Sequence, residues 1–240
     1  MKKLTLIFTL VLGVSLMALA QSNYKMFQLV YLKPLAGTNM QTAKDAMMAH
    51  NNEYHKEGPF RASVWSNLTG EMVGTWAWAM GPATFSDFDN RPQDEAHDSD
   101  WQKVVQGNFK LVANEYWRMD EKLSYEPEDY DFGDKVIWTV YDLKAGDSYR
   151  FKEMVTKIIE VYKEKKYDYD LTVFWNQFDN TEGRDAVIQV SFKTWSFLDI
   201  DRKFKKDFEE VHGEGSWWKL IEEYRDIVDS SYDELSVRLK

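Results

Sequence analysis

The most constraining feature of this chain is that its second half restates the first, so any fold must satisfy the same pattern twice. Phe27-Gln28-Leu29-Val30-Tyr31-Leu32-Lys33, closed by Gly37, returns as Ile137-Trp138-Thr139-Val140-Tyr141-Asp142-Leu143-Lys144, closed by Gly146. Trp65 and Phe85 match Trp175 and Trp195 at an offset of 110, and Trp101-Gln102-Lys103 matches Trp217-Trp218-Lys219 at an offset of 116. Small loop insertions account for the drift. Between the halves, residues 124–134 (SYEPEDYDFGD) combine acids with Pro127 and Gly133 and read as a solvated acidic linker.

Each half reads as strand, helix, strand, strand, helix, strand. In the first half the strands fall at 25–33, 61–68, 72–80 and 115–123, with helices at 39–56 and 94–113. In the second half strands fall at 135–143, 169–178, 185–193 and 232–239, with helices at 149–165 and across 195–229. Phe151, Met154, Val155, Ile158 and Tyr162 make the apolar stripe a helix requires. Ala186, Ile188, Val190 and Phe192 alternate as a strand does.

Two βαββαβ units predict two ferredoxin-like repeats, residues 21–123 and 135–240, in an α+β fold. The third strand suits water on neither face: Met72, Gly74, Trp76, Trp78 and Met80 lie on one side and Val73, Thr75, Ala77 and Ala79 on the other. One helix layer covers one face, so the other is expected to meet the sister sheet. In this the chain resembles the dimeric α/β-barrel superfamily of antibiotic-biosynthesis-type monooxygenases, NIPSNAP-like and EthD-like proteins. The likeness rests on the repeated βαββαβ order, the aromatic third strand and the helices opening at Trp101 and Trp217. It implies an intramolecular pseudo-dimer, with a small-molecule site between sheet and helices and no tightly held organic cofactor.

Candidate chemistry gathers in the first half. His50 shares the core-facing stripe of Ala43, Met47 and Tyr54, while the equivalent place in the second half holds Ile158. An imidazole there can accept a proton or ligate haem or a metal, and it can equally be a core side chain bonded to a carbonyl. His55 is turned about 140° around the helix from His50 and is expected to face water. His97 and His212 each precede a Trp-led helix beside acids, but their spacings to Trp101 and Trp217 differ by one residue, and no metal site is expected. Asp100 and Ser216 are expected as helix N-caps. Haem-degrading members of the superfamily carry an Asn on the first strand, a Trp on the third and a His on the next helix. This chain offers Gln28, Trp76 or Trp78, and His97. No cofactor is predicted, with haem the one candidate. Tyr54, Trp76, Trp78 and Gln28 are the candidate ligand-binding residues, and His50 and His97 the candidate proton carriers.

Composition removes other classes. With no cysteine among 240 residues, disulfide frameworks, thiolate zinc sites and cysteine nucleophiles are excluded. A net charge of −10 argues against nucleic-acid binding, which clustered Lys and Arg would supply. Lys2 and Lys3, an apolar run and Ala18-Leu19-Ala20 form a predicted signal peptide over residues 1–20, cleaved before Gln21. The mature chain, monomeric or a homo-oligomer, is expected outside the cytoplasm and free of the membrane. Three functions stay open: a binder of a small apolar or aromatic ligand, a monooxygenase-like or haem-handling enzyme, and a structural or partner-binding module whose clefts its own side chains fill.

Overall fold

A computed structural model describes residues 24–240, apart from residues 92, 93, 179, 181 and 182. The expected signal peptide lies outside the described residues. Eight strands, β1 (Met26–Pro34), β2 (Ala62–Asn67), β3 (Trp76–Ala83), β4 (Phe109–Met119), β5 (Lys135–Leu143), β6 (Thr172–Asn176), β7 (Ala186–Phe192) and β8 (Val228–Arg238), close into one antiparallel barrel. Among the described residues six α-helices pack outside it: α1 (Met40–Tyr54), α2 (Phe85–Asp89), α3 (Glu95–Gln106), α4 (Ser148–Lys165), α5 (Phe204–His212) and α6 (Ser216–Ile227). The architecture is α+β and ferredoxin-like. Around the barrel the order is β1-β3-β2-β8-β5-β7-β6-β4, so each half contributes four neighbouring strands in the same relative order. The halves join at β2–β8 and β4–β6.

Strand alternation sorts the side chains into three cores. Trp76, Trp78 and Met80, with Val30 and Leu32, face α1 and α3, whose Met47 and Val104 complete this core. Leu29, Tyr31, Ala77, Trp117, Val140, Phe174 and Val187 pack inside the barrel, drawing on both halves. Phe151, Val155, Tyr162 and Phe208 head the helix-side core of the second half. Both faces of β3 are therefore covered, as its sequence requires.

Several boundaries differ from the sequence reading. The hairpin strand begins at Trp76 because Glu71–Gly74 is spent on a turn, with Gly70 and Gly74 at φ +77°. The helix predicted over 94–113 stops at Gln106, and Gly107 caps it. β4 then runs from Phe109, where a register shift between Tyr31 and Leu32 of β1 turns Phe109 to the helix side. The stretch 195–229 breaks into a 3-10 turn at Trp195–Asp199 and two helices, divided by Gly213 and Gly215 at φ +94° and +77°. Asp94 rather than Asp100 caps α3, accepting from the amides of Ala96 and His97, and Gly215 rather than Ser216 occupies the cap of α6.

Segment 124–134 straps one end of the barrel. Tyr125 bridges to Leu171, and the Tyr130 hydroxyl donates to the Ser191 carbonyl at 2.9 Å, while Glu126, Glu128, Asp129 and Asp131 face solvent. A Cβ at Gly133 would stand 1.8 Å from the Phe192 carbonyl oxygen, so only glycine lets the strap lie this close. Among the described residues no helix is long and apolar enough to cross a membrane.

Candidate metal centre

α1 begins where Asn39 Oδ1 accepts from the amides of Gln41 and Thr42, each at 3.1 Å. It buries Ala43, Met47 and His50 on the predicted stripe. The helix ends at Tyr54, two residues short of the predicted end, and His55 is its cap with φ −131°. Helical periodicity no longer applies at that residue. His55 is consequently turned inward and is 3% exposed, against the expectation that it faces water. His97 reaches the same place from the first turn of α3.

Three imidazoles converge. The rings of His50, His55 and His97 lie 5.1 to 5.2 Å apart by centroid, and one ring nitrogen of each falls within 4.8 Å of the others. Each Nδ1 is turned away from the cluster to an oxygen: His50 to Asp100 at 2.8 Å, His55 to the Phe60 carbonyl at 2.7 Å and His97 to Asp98 at 2.9 Å. A carbonyl or carboxylate oxygen can only accept, so Nδ1 carries the proton in each ring. In a neutral ring of this tautomer Nε2 is the nitrogen left with a lone pair. His55 Nε2 and His97 Nε2 are 3.1 Å apart, and His50 Nε2 is buried without a hydrogen-bond partner. Lone pairs so arranged call for a cation between them.

Two of the rings, His50 and His55, are also held toward the neutral form. Burial pushes the His55 imidazole down to about 4, against the opposing hydrogen bond to Phe60. It lowers His50 as well, although the Asp100 carboxylate pulls the other way. Asp100, expected as a cap, is instead the orienting partner of His50.

His55 and His97 of the cluster line a cavity of about 590 Å³ between α3 and the β1–β4 face of the barrel. His55, His97, Trp78 and Trp101 line it near the cluster, with Gln28, Asn114 and Arg91 elsewhere on its surface. Trp78 and Trp101 meet edge to face at 5.0 Å, and Trp78 Nε1 donates to Asn51 at 2.9 Å. Gln28 donates to Asn114 Oδ1 at 2.9 Å and to the Tyr116 hydroxyl at 3.2 Å. Tyr54 stacks edge-on against His97 at 5.1 Å.

Of the sequence candidates, His50, His97, Tyr54, Trp78 and Gln28 thus gather in one region. Trp76 does not; it packs on Phe109 at 4.9 Å in the core. His212 is remote from the cluster, its Nε2 donating to the Lys157 carbonyl, so the pairing of His97 with His212 is replaced by His97 with His50 and His55. The sequence alone gives no expectation of a metal site; the three converging imidazoles offer a candidate one. The missed residue is His55, and its signal was Gly58-Pro59, which ends the helix early enough to free the histidine from the helical repeat.

No family model matches the chain, and no curated protein matches it in sequence. Solved structures do match in shape. A candidate monooxygenase from Fusobacterium nucleatum superposes at a TM-score of 0.56 with 11% identity, over 92% of this chain and 94% of that one. A chlorite dismutase variant from Candidatus Nitrospira defluvii gives 0.54 at 7% identity, over 90% and 91%. A haem-binding protein from Thermus thermophilus gives 0.50 at 6% identity, over 91% and 94%. What this chain shares with them is the fold, the ferredoxin-like α/β barrel of monooxygenase-like and chlorite dismutase-like proteins.

Proposed function

We infer that the protein is a metal-dependent member of this barrel class. It binds one first-row transition-metal ion through His50, His55 and His97 and takes a small aromatic or apolar molecule into the adjoining cleft. The observation that carries this is the convergence of three Nε2 lone pairs whose Nδ1 atoms are all committed to oxygens. Imidazole suits zinc, copper, iron or nickel, and three protein ligands leave a coordination position for water or substrate. Trp78 and Trp101 supply the apolar wall beside that position. An enzyme of the monooxygenase-like type fits this arrangement better than a module with a filled cleft, because polar groups converge beside an open cavity.

Haem suits these residues less well. A porphyrin leaves its iron two positions for protein ligands, whereas three imidazole nitrogens gather here within 4.8 Å of one another. The two halves are read as an intramolecular pseudo-dimer in which, among the described residues, the first carries the histidine cluster. Export, with cleavage before Gln21, is supported by the charged and apolar pattern of the leader.

The test is elemental analysis and native mass spectrometry of protein exported by a bacterial host and purified without chelator. One metal equivalent is expected, and it is absent from His55→Ala and His97→Ala variants that retain wild-type circular dichroism. Protein that arrives without metal and shows no calorimetric binding of zinc, copper or cobalt overturns the reading.

A further inference from the structure

The barrel interior contains a second cavity, separate from the histidine cleft, of about 370 Å³. Inward-facing residues of all eight strands position its walls, and Phe27, Leu29, Trp65, Trp138 and Phe174 give it an apolar, aromatic lining. The space exists because β3 places only Ala77, Ala79 and Gly81 on this face. Its floor is sealed. Arg184, 1% exposed, bonds Glu115 at 2.7 Å, Glu234 at 3.0 Å and the hydroxyls of Tyr31 and Tyr232 at 3.0 and 2.6 Å. That network engages every donor of the guanidinium and presents no free cation to the cavity.

The opposite end, beside the 124–134 strap, differs in charge. Arg61 and Arg238 both line the cavity there and both are exposed. Neither guanidinium makes an ion pair or hydrogen bond among the described residues. The acids nearest in the strap are already engaged: Asp134 pairs with Lys135 at 2.6 Å and Lys240 at 2.8 Å, and Asp131 pairs with Lys193 at 2.7 Å. In a chain of net charge −10, two uncommitted arginines at the rim of an apolar pocket are a local reversal of sign. The pocket lies in the roughly 300–1,000 Å³ range typical of small-ligand sites.

We propose that the barrel interior binds an apolar carboxylic acid, its hydrocarbon body inside among Phe27, Trp138 and Phe174 and its carboxylate at Arg61 and Arg238. The orientation follows from the floor, where Glu115 and Glu234 repel an anion and Arg184 has no donor to spare. Trp65 and Trp138 lie on the walls, so occupancy is readable as a change in intrinsic fluorescence.

The experiment titrates the full mature chain with decanoate, with 2-naphthoate as an aromatic alternative, and with decanol as an uncharged control. Saturable binding of at least one acid is expected, weakened at least tenfold in the Arg61→Gln/Arg238→Gln double variant while decanol is unaffected. Preference for decanoate or for 2-naphthoate identifies the body as chain or ring, and either result supports the site. Ala79→Leu, which fills the cavity, is expected to abolish binding, and Ala79→Val serves should the larger side chain prevent folding. Metal-free His97→Ala protein is expected to bind the acid normally, which separates this site from the histidine cleft. The proposal is overturned if neither acid binds, if the double variant binds as wild type, or if folded cavity-filled protein retains binding.

Discussion

Asp100 touches no ligand atom of the candidate metal centre, yet it fixes which nitrogen His50 presents to it. Its carboxylate holds the Nδ1 proton at 2.8 Å and so aims Nε2 inward. Asp100→Asn is therefore expected to weaken metal affinity by about 10- to 100-fold while leaving stoichiometry at one, as loss of an orienting partner does elsewhere. Calorimetric titration with zinc checks this, and unchanged affinity would count against the assigned tautomer. The same histidines set a pH dependence for the metal-free protein. His55 stays neutral down to about 4 in the fold but takes up its proton near 6.5 when unfolded, and His50 is lowered in the same sense. Between those values the unfolded chain binds more protons, so stability is complete above about 6.5 and is lost as pH falls toward 4. Urea midpoints of chelator-treated protein should drop between pH 7.5 and 5, and a flat profile would contradict it. At this scale the sequence was informative for His50, because one stripe residue differed from its repeat partner Ile158. It misled for His55, whose direction depends on where a helix ends, and boundaries are set by capping rather than by periodicity.

Elements were legible where one period ran unbroken. α4 keeps its stripe from Phe151 to Tyr162, and β7 its alternation, so both appear close to where the pattern places them. The strand after α3 was obscured because Leu111 and Val112 are both exposed and a bulge interrupts the alternation. Wholly illegible was the network around Arg184, whose partners come from β1, β4 and β8 and are brought together only by barrel closure. Burial raises the Glu234 carboxyl, and Arg184 is what keeps it tolerable as an anion. Arg184→Met leaves two carboxylates facing each other in the interior and is expected to cost about 3–5 kcal/mol. Denaturant unfolding measures it, and a loss under about 1 kcal/mol would show that water reaches the network.

The closed barrel unites the two halves more firmly than the strap does. Leu29, Tyr31, Ala77 and Trp117 from one half pack with Val140, Phe174 and Val187 from the other, and separating them would return all of that surface to water. A single cut in the exposed stretch 126–129 is thus expected to leave one particle by gel filtration that divides only in urea; two species under native conditions would contradict it. The third strand, apolar on both faces in the sequence, announced a second packed layer, and the closed barrel supplies it. What the repeat could not announce is lopsidedness. A barrel built from two identical chains must duplicate every substitution on both flanks, so a cluster of histidines would appear twice or not at all. Covalent joining lifts that symmetry: among the described residues the three-histidine cluster stands on one flank, while the other flank has hydrocarbon at Ile158 and its neighbours.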